Sequence, residues 1–61
     1  MPFVTVKMIE GRTDEQKKAL VDRVTAAVSE TANAPKENIF VIIEEMKKEN
    51  LANAGVRYSD R

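Results

Sequence analysis

Residues 3–16 read Phe3-Val4-Thr5-Val6-Lys7-Met8-Ile9-Glu10-Gly11-Arg12-Thr13-Asp14-Glu15-Gln16, and the change of pattern inside this stretch decides the fold. Val4, Val6 and Met8 share one face of the first half, and Phe3, Thr5, Lys7 and Ile9 share the other. A period of two over β-forming residues predicts a strand. Glu10-Gly11-Arg12 breaks that alternation. Thr13 and Gln16 then have the spacing of a capping box: the Thr13 hydroxyl accepts from the Gln16 amide and the Gln16 side chain reaches back. Asp14 and Glu15 put negative charge in the first turn, where the helix dipole favours it. The chain passes from strand to helix within a few residues.

Outward from this point the pattern continues. Leu20, Val21, Val24, Ala27, Val28, Thr31 and Ala32 fall on one helical stripe, with Lys18, Asp22, Ser29 and Glu30 mainly away from it. Asn33-Ala34-Pro35 ends the helix, because Pro35 disfavours helical geometry at Ala34. Ile39-Phe40-Val41-Ile42-Ile43 is a second strand, apolar on both faces and so suited to cover on both sides. Glu44-Glu45-Met46 can extend it. Lys47 to Asn50 is a polar loop. The tail, Leu51 to Arg61, is short and mixed, and Gly55 allows a turn before Val56-Arg57-Tyr58.

The order strand, helix, strand leaves about thirty residues between the strands, enough for a helical crossover, which implies parallel strands. The expected class is α+β, a single β-α-β domain over residues 1–61. Two strands and one helix leave a sheet face open and both edges unpaired, and such a unit is not stable alone. A chain of 61 residues buries only about 60% of its unfolded surface and needs an extra staple. It has no Cys and no His, which removes disulfides and the common zinc and copper ligands. Self-association is the remaining device, and no metal is expected.

Ten basic residues balance ten acidic ones, whereas nucleic-acid binding calls for a basic excess. Phe3, Phe40 and Tyr58 are the only aromatics, too few for a base-stacking platform. The longest apolar run, Ile39 to Ile43, is far too short for a membrane span. No basic region precedes an apolar stretch at the N-terminus. The expectation is a soluble cytoplasmic protein that engages neither nucleic acid nor membrane.

The residue inventory also limits the chemistry. Without His or Cys there is no Ser-His-Asp triad and no thiol nucleophile. With only Gly11 and Gly55 as glycines, no dinucleotide fingerprint or phosphate loop can be written. A base near neutral pH must be a perturbed carboxylate, a perturbed lysine or the α-amino group. Removal of Met1 would expose Pro2 as a secondary amine, and an α-amine titrates at about 7.7–8.0. Apolar burial or a nearby arginine lowers that value, and a base near the working pH suits reversible proton transfer. The plainer reading is a proline that starts an edge strand. Arg12, just before the helix cap, can hold a carboxylate bidentately, or it is a solvated arginine. Glu44 and Glu45 read most simply as the polar end of a strand.

Pro2 opening a short strand, then Glu10-Gly11-Arg12-Thr13-Asp14-Glu15-Gln16-Lys17, Ala34-Pro35 and Val41-Ile42-Ile43-Glu44-Glu45-Met46, resembles the 4-oxalocrotonate tautomerase family over nearly the whole chain. The resemblance implies a β-α-β unit that dimerises into a four-stranded sheet and assembles as a hexamer, a trimer of dimers. It implies proton transfer between carbons of an unsaturated 2-hydroxy or 2-oxo acid such as 2-hydroxymuconate, with Pro2 as base and then acid, Arg12 on a substrate carboxylate, and no cofactor. Two positions depart. Phe40 stands where the best-known members carry a second substrate-binding arginine, and Leu51 stands where they carry an aromatic pocket residue. Altered use of the dicarboxylate follows, and Arg57 in the tail is a candidate replacement charge. Two alternatives stay open: an amine-dependent lyase or hydratase, and an inactive assembly subunit of the same fold.

Overall fold

The computed structural model describes residues Met1–Arg61. Strand β1 (Phe3–Ile9) leads through Glu10-Gly11-Arg12 to helix α1 (Asp14–Ala32), and strand β2 (Phe40–Met46) follows after a 3-10 turn at Lys36–Asn38. β1 and β2 pair in parallel, with Phe3 opposite Phe40, Lys7 opposite Glu44 and Ile9 opposite Met46. The ladder runs past both ends: the Phe40 amide donates to the Pro2 carbonyl at 3.0 Å and the Glu10 amide to the Met46 carbonyl at 2.9 Å.

The capping box forms as its spacing predicts. The Gln16 amide donates to Thr13 Oγ1 at 3.1 Å and the Thr13 amide to Gln16 Oε1 at 2.9 Å. The far end is closed by Asn33 in the left-handed region at φ 51°, with its amide on the Ser29 carbonyl. The stop therefore comes from an αL cap one residue earlier than the restriction that Pro35 imposes. Ser29, expected on the outer face, is half-buried and donates from Oγ to the Ala34 carbonyl at 2.6 Å.

The helix covers one sheet face, where Val4, Val6 and Met8 of β1 and Val41 and Ile43 of β2 are half-buried. The two glutamates of β2 part company, as strand alternation requires. Glu45 meets Lys17 of α1 at 2.7 Å, each side chain about two-thirds covered, and ties helix to strand. Glu44 lies on the opposite face, 3.6 Å from Lys7, with both side chains mostly exposed.

That second face is open. Phe3 is 66% exposed, Phe40 42% and Ile42 49%, and Ile39 is the one buried residue of the chain. Phe3 and Phe40 stack with ring centroids 5.0 Å apart and planes at 15°. The chain is long and thin, 43 × 24 × 13 Å, with a radius of gyration of 14.5 Å, against about 10.5 Å for a compact chain of this length. Its accessible surface is 4753 Å², against roughly 4,000 Å² for a folded monomer of this mass. The excess agrees with the argument from length that this unit needs copies of itself.

The tail, for which the sequence supported no element beyond a turn, forms a small hairpin. Strands β3 (Ala52–Asn53) and β4 (Val56–Arg57) pair antiparallel. The two loop residues both have positive φ, 53° at Ala54 and 80° at Gly55, which is the two-residue hairpin turn that matches strand twist. A 3-10 turn at Lys48–Asn50 precedes the hairpin, and another at Tyr58–Asp60 ends it. No helix is long and apolar enough to cross a membrane.

Candidate active site

The end of β1 carries most of the candidate chemistry. Gly11 has φ 128°, a conformation that side chains rarely adopt, and it swings the chain from strand to helix cap. Arg12, next in line, folds back over the strand end, with Nη1 donating to the Ile9 carbonyl at 3.2 Å. The guanidinium keeps its remaining donors free for an anion.

Arg12 lines a groove of about 490 Å³ together with Lys7, Met8, Ile9, Met46, Leu51 and Tyr58. Two cations and a phenol thus border an otherwise apolar trough. Such a lining fits a small organic anion with a hydrocarbon body. A larger cleft of about 680 Å³ lies nearby, but Glu10, Gly11, Lys48, Glu49 and Ser59 give it no apolar wall and two carboxylates. It is the poorer host for an anion.

The tail holds the outer wall of the groove in place. The Tyr58 amide donates to the Leu51 carbonyl at 2.9 Å. Arg61 lies 4.8 Å from the centre of the Tyr58 ring and donates to the Asn53 carbonyl at 2.9 Å. Arg57 is held within the tail by Asp60, at 3.0 Å from Nε and 3.3 Å from Nη2, and it does not line the groove. Tyr58 and Lys7 were not singled out by sequence reasoning. Lys7 carries a signal in retrospect, since it shares a strand face with Ile9. Tyr58 carries none, because only the hairpin brings it back to Leu51.

Pro2 is elsewhere. It precedes β1 at the opposite end from Arg12; Ile9, on whose carbonyl Arg12 is anchored, is seven residues along the strand, about 23 Å at ~3.3 Å per residue. It is half-buried and pinned through its carbonyl to Phe40, whose ring lies on the stack with Phe3. Within one chain the candidate residues therefore form two groups. Pro2 and Phe40 sit at the start of the sheet; Arg12 and Leu51 sit at its end. With Met1 attached, the Pro2 nitrogen is an amide with no basic lone pair, and Met1 itself is exposed. No group of carboxylates is arranged to hold a metal ion.

The chain is thus a small α+β unit with two parallel strands, a groove bordered by two cations past the first strand and a proline before it. The sequence model of the family described as "Tautomerase enzyme" matches residues 2–61. The 2-hydroxymuconate tautomerase of Bacillus subtilis is 63% identical over 98% of this chain and 97% of its own length. The crystal structure of YwhB, a homologue of 4-oxalocrotonate tautomerase, superposes with a TM-score of 0.96 at 62% identity, covering 98% of both chains. A heterohexameric 4-oxalocrotonate tautomerase from Chloroflexus aurantiacus superposes with a TM-score of 0.92 at 27% identity, over 98% of this chain and 97% of that one. The chain belongs to the tautomerase family, a family of isomerases, and has the fold of 4-oxalocrotonate tautomerase.

Proposed function

We propose that residues 1–61 form one cytoplasmic tautomerase domain that interconverts the enol and keto forms of small unsaturated 2-hydroxy and 2-oxo acids, such as 2-hydroxymuconate. The base is the amine of Pro2 after loss of Met1, and no cofactor takes part. The observation that carries the reading is the full-length family match, which begins at Pro2.

Each free sheet edge can pair with a second copy. A two-fold axis makes such pairing antiparallel, so the start of one β1 lies beside the end of the other. Pro2 of one copy then meets the groove of the second, with its Arg12 and Leu51. Three such dimers, packed through their open faces, give the homohexamer, and the exposed Phe3, Phe40 and Ile42 favour it.

In that site Arg12 holds the substrate carboxylate by charged hydrogen bonds. Leu51, Ile9 and Met46 exclude water from the Pro2 nitrogen, which favours the neutral amine. The amine removes the proton of the 2-hydroxyl as the enol collapses to the ketone. The resulting ammonium returns that proton to a carbon of the conjugated chain. Phe40 adds apolar surface beside Pro2, and Arg57 reaches substrate only by exchanging Asp60 for a carboxylate.

The test is the rate of 2-hydroxymuconate ketonisation, followed by absorbance, on protein whose mass shows Met1 absent. The reading predicts a rate above buffer that falls about tenfold or more in Pro2→Ala. A rate equal to buffer would instead favour a silent assembly subunit.

A further inference from the structure

Resting on the enol and keto acid reading above, we propose that Tyr58 recognises the oxygen at C2 of the substrate, donating a hydrogen bond to it from the phenol, and that Arg61 is the residue that positions the ring. Apart from its apolar walls and the cations Lys7 and Arg12, the groove is lined by a single side chain that can donate a hydrogen bond, the phenol of Tyr58. The substrate class calls for both kinds of donor. Its carboxylate is the partner of a cation, and Arg12 serves it. Its C2 oxygen is neutral in the enol and in the ketone, and gathers negative charge only while the proton is in transit. A phenol suits that oxygen. It keeps its own proton at neutral pH, and a donor already in place where charge develops stabilises the transition state. Lys7 has a carboxylate of its own in Glu44, at 3.6 Å.

Tyr58 is held from two directions. Its amide donates to the Leu51 carbonyl at 2.9 Å, which fixes its backbone beside another lining residue of the groove. The Arg61 guanidinium lies 4.8 Å from the centre of its ring. Arg61 is itself tied through Nη2 to the Asn53 carbonyl at 2.9 Å and the Val56 carbonyl at 3.5 Å, one residue from each strand of the hairpin. The ring is thus attracted to a cation that both hairpin strands hold. A side chain ordered before the ligand arrives loses little freedom when it binds.

2-Oxohexanoate and hexanoate share a carboxylate and a carbon chain and differ in the C2 oxygen, so their affinities report its recognition apart from turnover. Calorimetric titration of the assembled protein is expected to show 2-oxohexanoate binding about tenfold tighter than hexanoate, the worth of one hydrogen bond. Tyr58→Phe keeps the ring and its contact with Arg61. It should remove that preference, leave hexanoate affinity unchanged and lower kcat/KM for 2-hydroxymuconate about tenfold. Arg61→Ala removes the cation from the ring and should cut the preference to about threefold, with no effect in the Tyr58→Phe background, because it acts through the hydroxyl. Equal or absent binding of 2-oxohexanoate by the wild type, a preference that survives Tyr58→Phe, or an unchanged kcat/KM in that variant would overturn the assignment. An Arg61→Ala protein with the full preference, or with a loss that persists in Tyr58→Phe, would overturn the positioning role. Failure of the wild type to ketonise 2-hydroxymuconate, with the binding pattern intact, would count against the reaction and not against Tyr58.

Discussion

Ile42→Asp tests whether the open sheet face is covered by other copies. Ile42 is 49% exposed in the single chain. Full burial of an isoleucine is worth about 1.5–3 kcal/mol, so roughly 1 kcal/mol per copy is still available at this position. An aspartate there loses that term and adds the burial of an unpaired carboxylate, which costs several kcal/mol. A symmetric interface carries the change twice. The sum is about 6 kcal/mol per contact, or some four powers of ten in the dissociation constant. Sedimentation velocity at micromolar concentration should show the variant dissociated where the wild type is assembled. Its helical circular dichroism should fall as well, because the released chain retains one buried residue. Ala26→Asp, on the exposed side of α1, is the control and should sediment as wild type. An Ile42→Asp protein that sediments with the wild type would refute the reasoning.

Three further outcomes follow from single residues. Gly11→Ala meets no atom within 4 Å but is forced to φ 128°, so backbone strain alone should cost about 1–3 kcal/mol in thermal unfolding and raise KM by displacing Arg12. Ala54→Asn should raise stability by about 1 kcal/mol, read from the same melts at fixed concentration, because asparagine tolerates the left-handed φ of 53° better than alanine. Arg12→Gln should lower kcat/KM for 2-hydroxymuconate by roughly tenfold to a hundredfold, the worth of one charged hydrogen bond.

Much of this was legible in the sequence where local rules act alone. The alternation from Phe3 to Ile9 predicted the strand and sorted its residues onto two faces, and Thr13 with Gln16 predicted where the helix begins. The second strand, the loop after it and the family followed from residues close together in the chain. What escaped depends on contacts between distant residues. Nothing near Glu45 announces Lys17, which comes to it only once the helix crosses the sheet. Ser29 read as outward because its partner, the Ala34 carbonyl, exists only after the αL turn at Asn33. The hairpin was hidden because Ala54 is an unusual residue for positive φ, and a strand of two residues has no period to detect. Of the candidate site residues, Arg12 and Leu51 line one groove, whereas Pro2, Phe40 and Arg57 do not. Pro2 and Arg12 are ten positions apart in sequence and stand at opposite ends of a strand, and no local pattern shows that separation.

The central claim is that the Pro2 nitrogen moves the proton, and the presence or absence of Met1 tests it most directly. Two preparations of the same chain, one processed and one with its N-terminus extended so that Pro2 stays an amide, differ in whether the Pro2 nitrogen carries a basic lone pair. Matching circular dichroism and sedimentation would establish that fold and assembly are equal. The account predicts that the processed protein ketonises 2-hydroxymuconate and that the extended one is slower by about a hundredfold or more, the usual contribution of a positioned general base. Equal rates from the two preparations would contradict it.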